Sequence, residues 1–182
     1  MPPFHFGEWG EFMNRLIYPI AALAMLSGCS AQEPSEADTG QSKDLIATEY
    51  PEKVGEIQAV LDDIELAIRE GDIDRLIAHH AYSPKFSDFQ EGGRRTGASE
   101  NEANERAFFG NATSVNRFEY DDPKVSVYGD VAVATVHPDV ELVFGEDVVT
   151  ANRQLTLVFV DTAEGWKIVH EHNSPLETDQ GD

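Results

Sequence analysis

The sequence predicts an α+β domain, with helices in the first part of the folded region and a meander of antiparallel strands in the second. Three observations carry this. Val54, Ile57, Leu61, Ile64 and Ile68 recur at spacings of three and four, the period of a helix with one apolar face. From Asn116 onward the pattern changes to period two, in stretches rich in Val, Phe, Tyr and Thr. Gly129-Asp130, Gly145-Glu146 and Ala163-Glu164-Gly165 separate those stretches, as turns between neighbouring strands do.

The elements follow in order. The first helix carries Glu56, Asp62, Asp63 and Glu70 on its polar side, and Gly71 stands where a left-handed cap ends it. Asp72 can cap a second, short helix with Ile73, Leu76 and Ile77 facing inward. Tyr82 to Phe89 reads as a short extended piece, and Gln90 to Gly97 as a turn. Ser99 and Glu102 form the pattern of a capping box that opens a third helix, reaching about Phe109. Strands are expected over Phe118–Val127, Val131–Phe144, Asp147–Val160 and Trp166–Ser174.

The chain before this domain reads as an address. Residues 1–12 hold Glu8 and Glu11 and no Lys or Arg, so they are expected to be an upstream extension, with Met13 the start. Residues 13–29 read as a lipoprotein signal peptide. Arg15 precedes the apolar run Leu16 to Leu26, which is too short for a stable spanning helix but fits the core of a secretory signal. Leu26-Ser27-Gly28-Cys29 then matches the bacterial lipobox, with Cys29 as the lipidated residue. Cys29 is the only cysteine, so with it acylated no disulfide can form. Ser30, rather than Asp, follows it, the pattern of outer-membrane sorting. The expected location is the bacterial cell envelope, on the outer membrane and facing the periplasm. Residues 30–49 are polar and acidic with almost no large apolar side chain, a flexible linker. Residues 50–176 form one domain, and residues 177–182 a disordered tail.

The formal net charge is −21, and about −20 for a chain beginning at Cys29. Nucleic-acid affinity comes largely from Lys and Arg on phosphate, so this balance excludes a nucleic-acid partner. It also excludes electrostatic docking on anionic lipid, which leaves the lipid anchor as the only membrane contact. No phosphate-binding loop, dinucleotide fingerprint or nucleophile elbow is present, and no cofactor is expected.

Several stretches resemble the SnoaL-like branch, of the DUF4440 type, of the NTF2-like superfamily. They are Ala67 to Ile77, Tyr128 to Thr135, Leu155 to Trp166, and above all Trp166-Lys167-Ile168-Val169-His170-Glu171-His172-Asn173-Ser174-Pro175. The resemblance covers roughly Glu52 to Leu176. It implies a cone-shaped roll, in which N-terminal helices pack on a curved antiparallel sheet that opens at one end into a cavity. It also implies a homodimer paired through the sheets.

Strand alternation places Trp166, Ile168, His170 and His172 on one face of the last strand and Lys167, Val169, Glu171 and Asn173 on the other. With the first face inward, Trp166, Ile168, His170 and His172 line the cavity, and two histidines about 7 Å apart can meet one small ligand. The opposite register, with Glu171 inward, is the alternative. Asp88 is a candidate general acid or base, since a carboxylate in an apolar pocket has a raised pKa. Tyr82 and Tyr120 have no assigned facing, so an isomerase-type set of Asp and Tyr residues cannot be mapped. His170 and His172 with Asp88 could in principle supply metal ligands, but the spacing is weak and no metal is expected. His79 and His80 are adjacent, so their side chains diverge on a helix. Arg153 is expected to pair with Glu171 across the sheet or to bind an anionic ligand. Phe86 is a candidate ligand contact. Phe89, Phe108, Phe109 and Phe118 are core, with one or two in the cavity wall.

The expected function is a lipid-anchored domain that binds a small, largely apolar molecule in its cone. The first alternative is an enzyme of proton transfer, isomerisation or cyclisation using His170, His172 and Asp88. The second is a non-catalytic dimerisation or assembly module.

Overall fold

The computed structural model describes residues 42–176. Residues 1–29, with Cys29 of the expected lipobox, most of the expected linker, and the tail 177–182 lie outside the described residues. Three helices and five strands follow in the order α1 (Pro51–Glu70), α2 (Ile73–Ala78), β1 (Ser87–Gln90), α3 (Ala98–Gly110), β2 (Ser114–Tyr128), β3 (Val131–Phe144), β4 (Asp147–Thr162) and β5 (Gly165–Pro175). The strands form a single sheet in the order β1-β5-β4-β3-β2. The meander is antiparallel as expected, but β1 pairs parallel to β5, so the sheet is mixed.

Helix α1 forms for the reasons its sequence gives. Pro51 sits in its first turn, where a missing N–H costs nothing. Ile57, Leu61, Ile64 and Ile68 are all buried on one face. Gly71 ends it at φ 70°, a left-handed conformation that only glycine adopts at no steric cost. Asp72 caps α2 by accepting the Arg75 backbone N–H at 3.1 Å. Helix α3 departs from expectation. It starts at Ala98 with Gly97 as its N-cap and makes no side-chain capping bond, so Ser99 and Glu102 lie inside the helix and form no box.

The core lies between α1 and the inner face of the sheet. Phe159, Ile57, Ala132, Ala134 and Leu142 are fully buried, with Leu157, Ile168, Ile64 and Ile68 close behind. Burying each such large aliphatic or aromatic side chain contributes about 1.5–3 kcal/mol. Two irregularities in β2, between Val115 and Arg117 and between Asp121 and Lys124, bend that long strand over the helices. A third lies between β4 and β5: Phe159 pairs with Ile168, but Val158 pairs with His170, so Val169 is the extra residue. All core residues fall between Ile57 and Ile168, within the compact unit Ser42–Asp182, which therefore has a complete hydrophobic core of its own.

Candidate functional site

The Val169 bulge decides which side chains of β5 face inward. Trp166 and Ile168 are buried on the inner face. After the extra residue the inward positions become Glu171 and Asn173, while His170 and His172 turn to the outer side. The expectation that His170 and His172 line the cavity is thus corrected: a bulge lets Ile168 and Glu171, three apart, share a face that regular alternation would not allow. His172 is exposed, and both histidine rings pack near Phe89, at centroid distances of 6.1 and 5.7 Å. His170 Nδ1 lies 2.9 Å from Ser87 Oγ.

β1 brings a second acid to the same region. Its parallel register sets Asp88 beside Glu171. Asp88 is fully buried, with Thr96 Oγ1 donating to Oδ2 at 3.2 Å and Oδ1 without a partner. Burial first, and the charge of Glu171 second, push its pKa up. Its raised pKa is as expected for a buried carboxylate, but it does not line the cavity.

The cavity has a volume of about 720 Å³. Its walls are largely apolar, with Phe118 and Val140 on one side, Leu155 and Leu157 on the other, and Phe108 and Phe144 toward the rim. A row of edge-to-face and tilted aromatic contacts at 5.1–5.8 Å links Phe144, Phe108, Phe109, Phe118 and Tyr120 along this wall.

Set into these walls is a buried polar cluster. His80 follows α2, where its neighbour His79 exchanges backbone hydrogen bonds with the edge of β5: Ala81 N–H donates to Ile168 O and Ile168 N–H to His79 O, both at 2.8 Å. That docking places His80 Nε2 2.9 Å from Glu171 Oε1, with Glu105 Oε1 of α3 at 3.6 Å. The outer oxygens of both acids are fixed as well. Asn101 Nδ2 donates to Glu171 Oε2 at 3.1 Å, and Tyr82 OH donates to Glu105 Oε2 at 3.2 Å while lying 2.6 Å from Asn101 Oδ1. The Tyr82 ring stacks on the His80 imidazole at 5.0 Å. His79, the C-cap of α2, diverges from it and meets Asp63 at 2.8 Å.

The electrostatics follow from this packing. Burial works to lower the His80 pKa, but the hydrogen bond and charge of Glu171, with the charge of Glu105, outweigh it and raise the pKa to about 9. Burial, and then the charge of Glu171, raise Glu105 to about 8. At neutral pH the cluster therefore holds a His80 imidazolium, hydrogen-bonded to Glu171, and a neutral Glu105 acid. Burial, then Glu105 and Glu171, keep the Tyr82 phenol protonated, and burial does the same for Tyr120 in the cavity wall.

One ligand atom each from His80, Glu105 and Glu171 lie within 4.8 Å of one another, so the cluster has the donors for a divalent cation once the His80 proton is displaced. The set His170, His172 and Asp88 does not converge, because the histidines and the acid lie on opposite faces of the sheet.

Of the expected ligand contacts, Ile168 and Arg153 line the cavity. Trp166 does not: it packs in the core, and its Nε1 donates to Glu56 Oε2 at 2.8 Å. Phe86 is likewise buried away from the cavity, edge-on to Tyr82 and His80. Arg153 pairs with Glu91 and Asn173, not with Glu171, because its register partner on β5 is Pro175. His80, Glu105 and Asn101 were missed. Asn101 and Glu105 stand four apart on one face of α3, a polar pair toward the interior of a helix that has to pack inward, and that was the available signal.

With this geometry in hand, the comparisons give the family. The SnoaL-like domain matches residues 57–177. The chain belongs to that family. No curated protein matches it. Among solved structures, a member of the NTF2-like family from Streptomyces avermitilis, assigned as a candidate dehydratase, is similar at 24% identity and TM-score 0.62, over 71% of this chain and 100% of that one. An NTF2-like protein of unknown function from Pseudomonas putida matches at 22% identity and TM-score 0.59, over 74% and 95%. A candidate aromatic ring hydroxylase from Novosphingobium aromaticivorans matches at 19% identity and TM-score 0.60, over 72% and 94%. At these identities the SnoaL-like chain shares the fold with them, and nothing narrower is transferred.

Proposed function

We propose that this SnoaL-like domain binds a small, largely apolar molecule in its cone, with one polar group of the ligand at His80, Glu105 and Glu171. The observation that supports this is the pairing of an apolar-walled cavity of about 720 Å³ with a hydrogen-bonded acid–base cluster set into its wall. A buried charge cluster is expensive to keep where an apolar core would serve stability as well. A ligand carbonyl or hydroxyl would be oriented there, while the aliphatic and aromatic walls supply affinity.

A second reading, an enzyme of proton transfer, isomerisation or cyclisation, is favoured by one specific feature. The cluster offers a neutral acid, Glu105, and a second carboxyl group, Glu171, within reach of the same imidazolium, so a proton can be given at one atom and taken at another. In that reading His80, Glu105 and Glu171 replace His170, His172 and Asp88 as the reacting groups. The protein is further proposed to be anchored through a lipid on Cys29 to the outer membrane, facing the periplasm, and to pair through its sheets.

Native mass spectrometry of Ser42–Asp182 purified without detergent tests the binding reading. The expected spectrum is a dimer carrying an added small-molecule mass, lost in Ala151→Trp, which fills the cavity from β4. A wild-type domain that carries nothing and shows no thermal shift with any member of an apolar carbonyl and alcohol panel would sink it.

A further inference from the structure

Arg153 is the one arginine or lysine among the residues lining the cavity, in a chain whose formal net charge is −21. Its side chain is only 18% exposed. Two partners hold it, and they differ in kind. Nε donates to Asn173 Oδ1 at 2.9 Å, a neutral partner that itself lines the cavity. Nη2 pairs with Glu91, whose side chain is 57% exposed on the turn after β1 and whose φ of 53° is uncommon for a non-glycine residue. A guanidinium has five donors in a fixed fork. Two serve Asn173 and Glu91, and Nη1 makes no hydrogen bond among the described residues. Among the described residues the only carboxylate on this largely buried cation is Glu91, which also lines the cavity but is more than half open to water, and such a solvated pairing is worth little. A carboxylate held inside the cavity could take the free edge of the fork bidentately, in a drier setting where charge-assisted bonds are stronger.

The spacing of the wall adds the rest. Asn173 and Glu171 lie two apart on the inner face of β5, about 7 Å at strand rise, with Leu155 and Leu157 as their register partners on β4. The guanidinium and the acid–base cluster thus mark two polar points along one otherwise apolar wall. We infer that the ligand is a small amphipathic monoacid, its carboxylate on Arg153 and Asn173, its apolar body over Leu155 and Leu157, and a second polar group, a ketone or hydroxyl, at His80 and Glu171. This rests on the reading of the cavity as a small-molecule site and adds the ligand's charge and length. Glu91 acts as the displaceable counter-ion that occupies Arg153 when the acid is absent.

The test is a matched pair of probes, 1-naphthaleneacetate and its neutral amide 1-naphthaleneacetamide, titrated by calorimetry into Ser42–Asp182 at pH 7. The acid is expected to bind at least tenfold more tightly than the amide. Arg153→Gln should abolish that preference while leaving amide affinity in place, and Glu91→Gln, at an exposed position, should tighten the acid severalfold by removing its competitor. Equal affinities in the wild-type domain, or a preference that survives Arg153→Gln, overturn the inference and leave the cavity reading standing. Binding of neither probe overturns both. If circular dichroism shows Arg153→Gln unfolded, Glu91→Gln decides, and no gain for the acid overturns the inference.

Discussion

The two halves of β5 belong to one strand and one sheet, yet they face different surroundings. Before Val169, Trp166 and Ile168 press into the apolar core against Phe159 and α1, with Ile168 also reaching the cavity wall. After it, Glu171 and Asn173 face a cavity with His80, Glu105 and Arg153. The first half is built for stability. Its inward side chains fill space, and the one polar side-chain atom on that face, Trp166 Nε1, is satisfied by Glu56. The second half keeps ionisable groups that must be partnered to be tolerated. A one-residue insertion separates the two, so a strand can serve a core and a site without a break in its pairing.

The largest effect expected from this division is on the core side. Phe159 is fully buried and pairs with Ile168 just before the bulge. Phe159→Ala should cost about 3–5 kcal/mol in urea unfolding of Ser42–Asp182, the range for truncating a buried aromatic. Asn173→Ala, on the cavity side, should cost less than about 1 kcal/mol, since it leaves a half-buried site that solvent can reach. Similar losses for the two would erase the distinction.

The next effect is on the cavity side and depends on pH. Glu105 has its pKa raised from 4.5 to about 8, so the folded state holds its proton more tightly than the unfolded state does. The stability this contributes is complete below pH 4.5 and lost as pH rises through 8. His80, raised from 6.5 to about 9, contributes stability that is complete below 6.5 and lost through 9. Both act in one direction, so stability should fall between pH 5 and pH 9, by on the order of 2–4 kcal/mol for two groups that share their protons. Glu105→Gln keeps the neutral shape and removes the lower part of that slope. Its stability relative to wild type should rise with pH from 5 to 8. Parallel curves for the two proteins would mean that Glu105 is ionised in the folded domain.

The fold was legible because its signals are periodic and redundant. The spacing from Ile57 to Ile68, the glycine at position 71 and the turns at Gly129, Gly145 and Gly165 each state a local geometry, and the structure realises all of them. The extended course of β1 was legible in part, but its parallel pairing was not, since four residues carry no period of their own and their partner, β5, is some 80 positions away. The site was legible only in part. Ile168 was found because it obeys strand alternation ahead of the bulge, whereas Arg153 was named for a pairing with Glu171 that the register does not allow. His170 and His172 were misplaced because alternation was carried through a bulge that no glycine marks. His80 was passed over because its neighbour His79 made the pair look like a helix surface. What brings it inward is a backbone bridge to Ile168, a long-range contact with no side-chain signature.

The smallest effect separates the two faces of β5 beyond the bulge. His172 is exposed on the outer side, and among the described residues His170 meets only Ser87 and the edge of Phe89 as polar and aromatic partners. His172→Ala should change stability by less than about 0.5 kcal/mol, as surface substitutions do. His170→Ala should cost about 1 kcal/mol, the net worth of one hydrogen bond. Neither should alter the affinity of a cavity ligand, measured by the same calorimetric titration that reads Arg153. A Glu171→Gln variant in that titration should weaken a ligand with a ketone or hydroxyl, because an amide cannot hold His80 as an imidazolium. Loss of binding on His170→Ala or His172→Ala, with Glu171→Gln silent, would put the ligand on the outer face of the sheet and return the site to the strand's other register. Two neighbours on one strand, Glu171 and His172, would then have exchanged roles, and the bulge at Val169 would have no part in function.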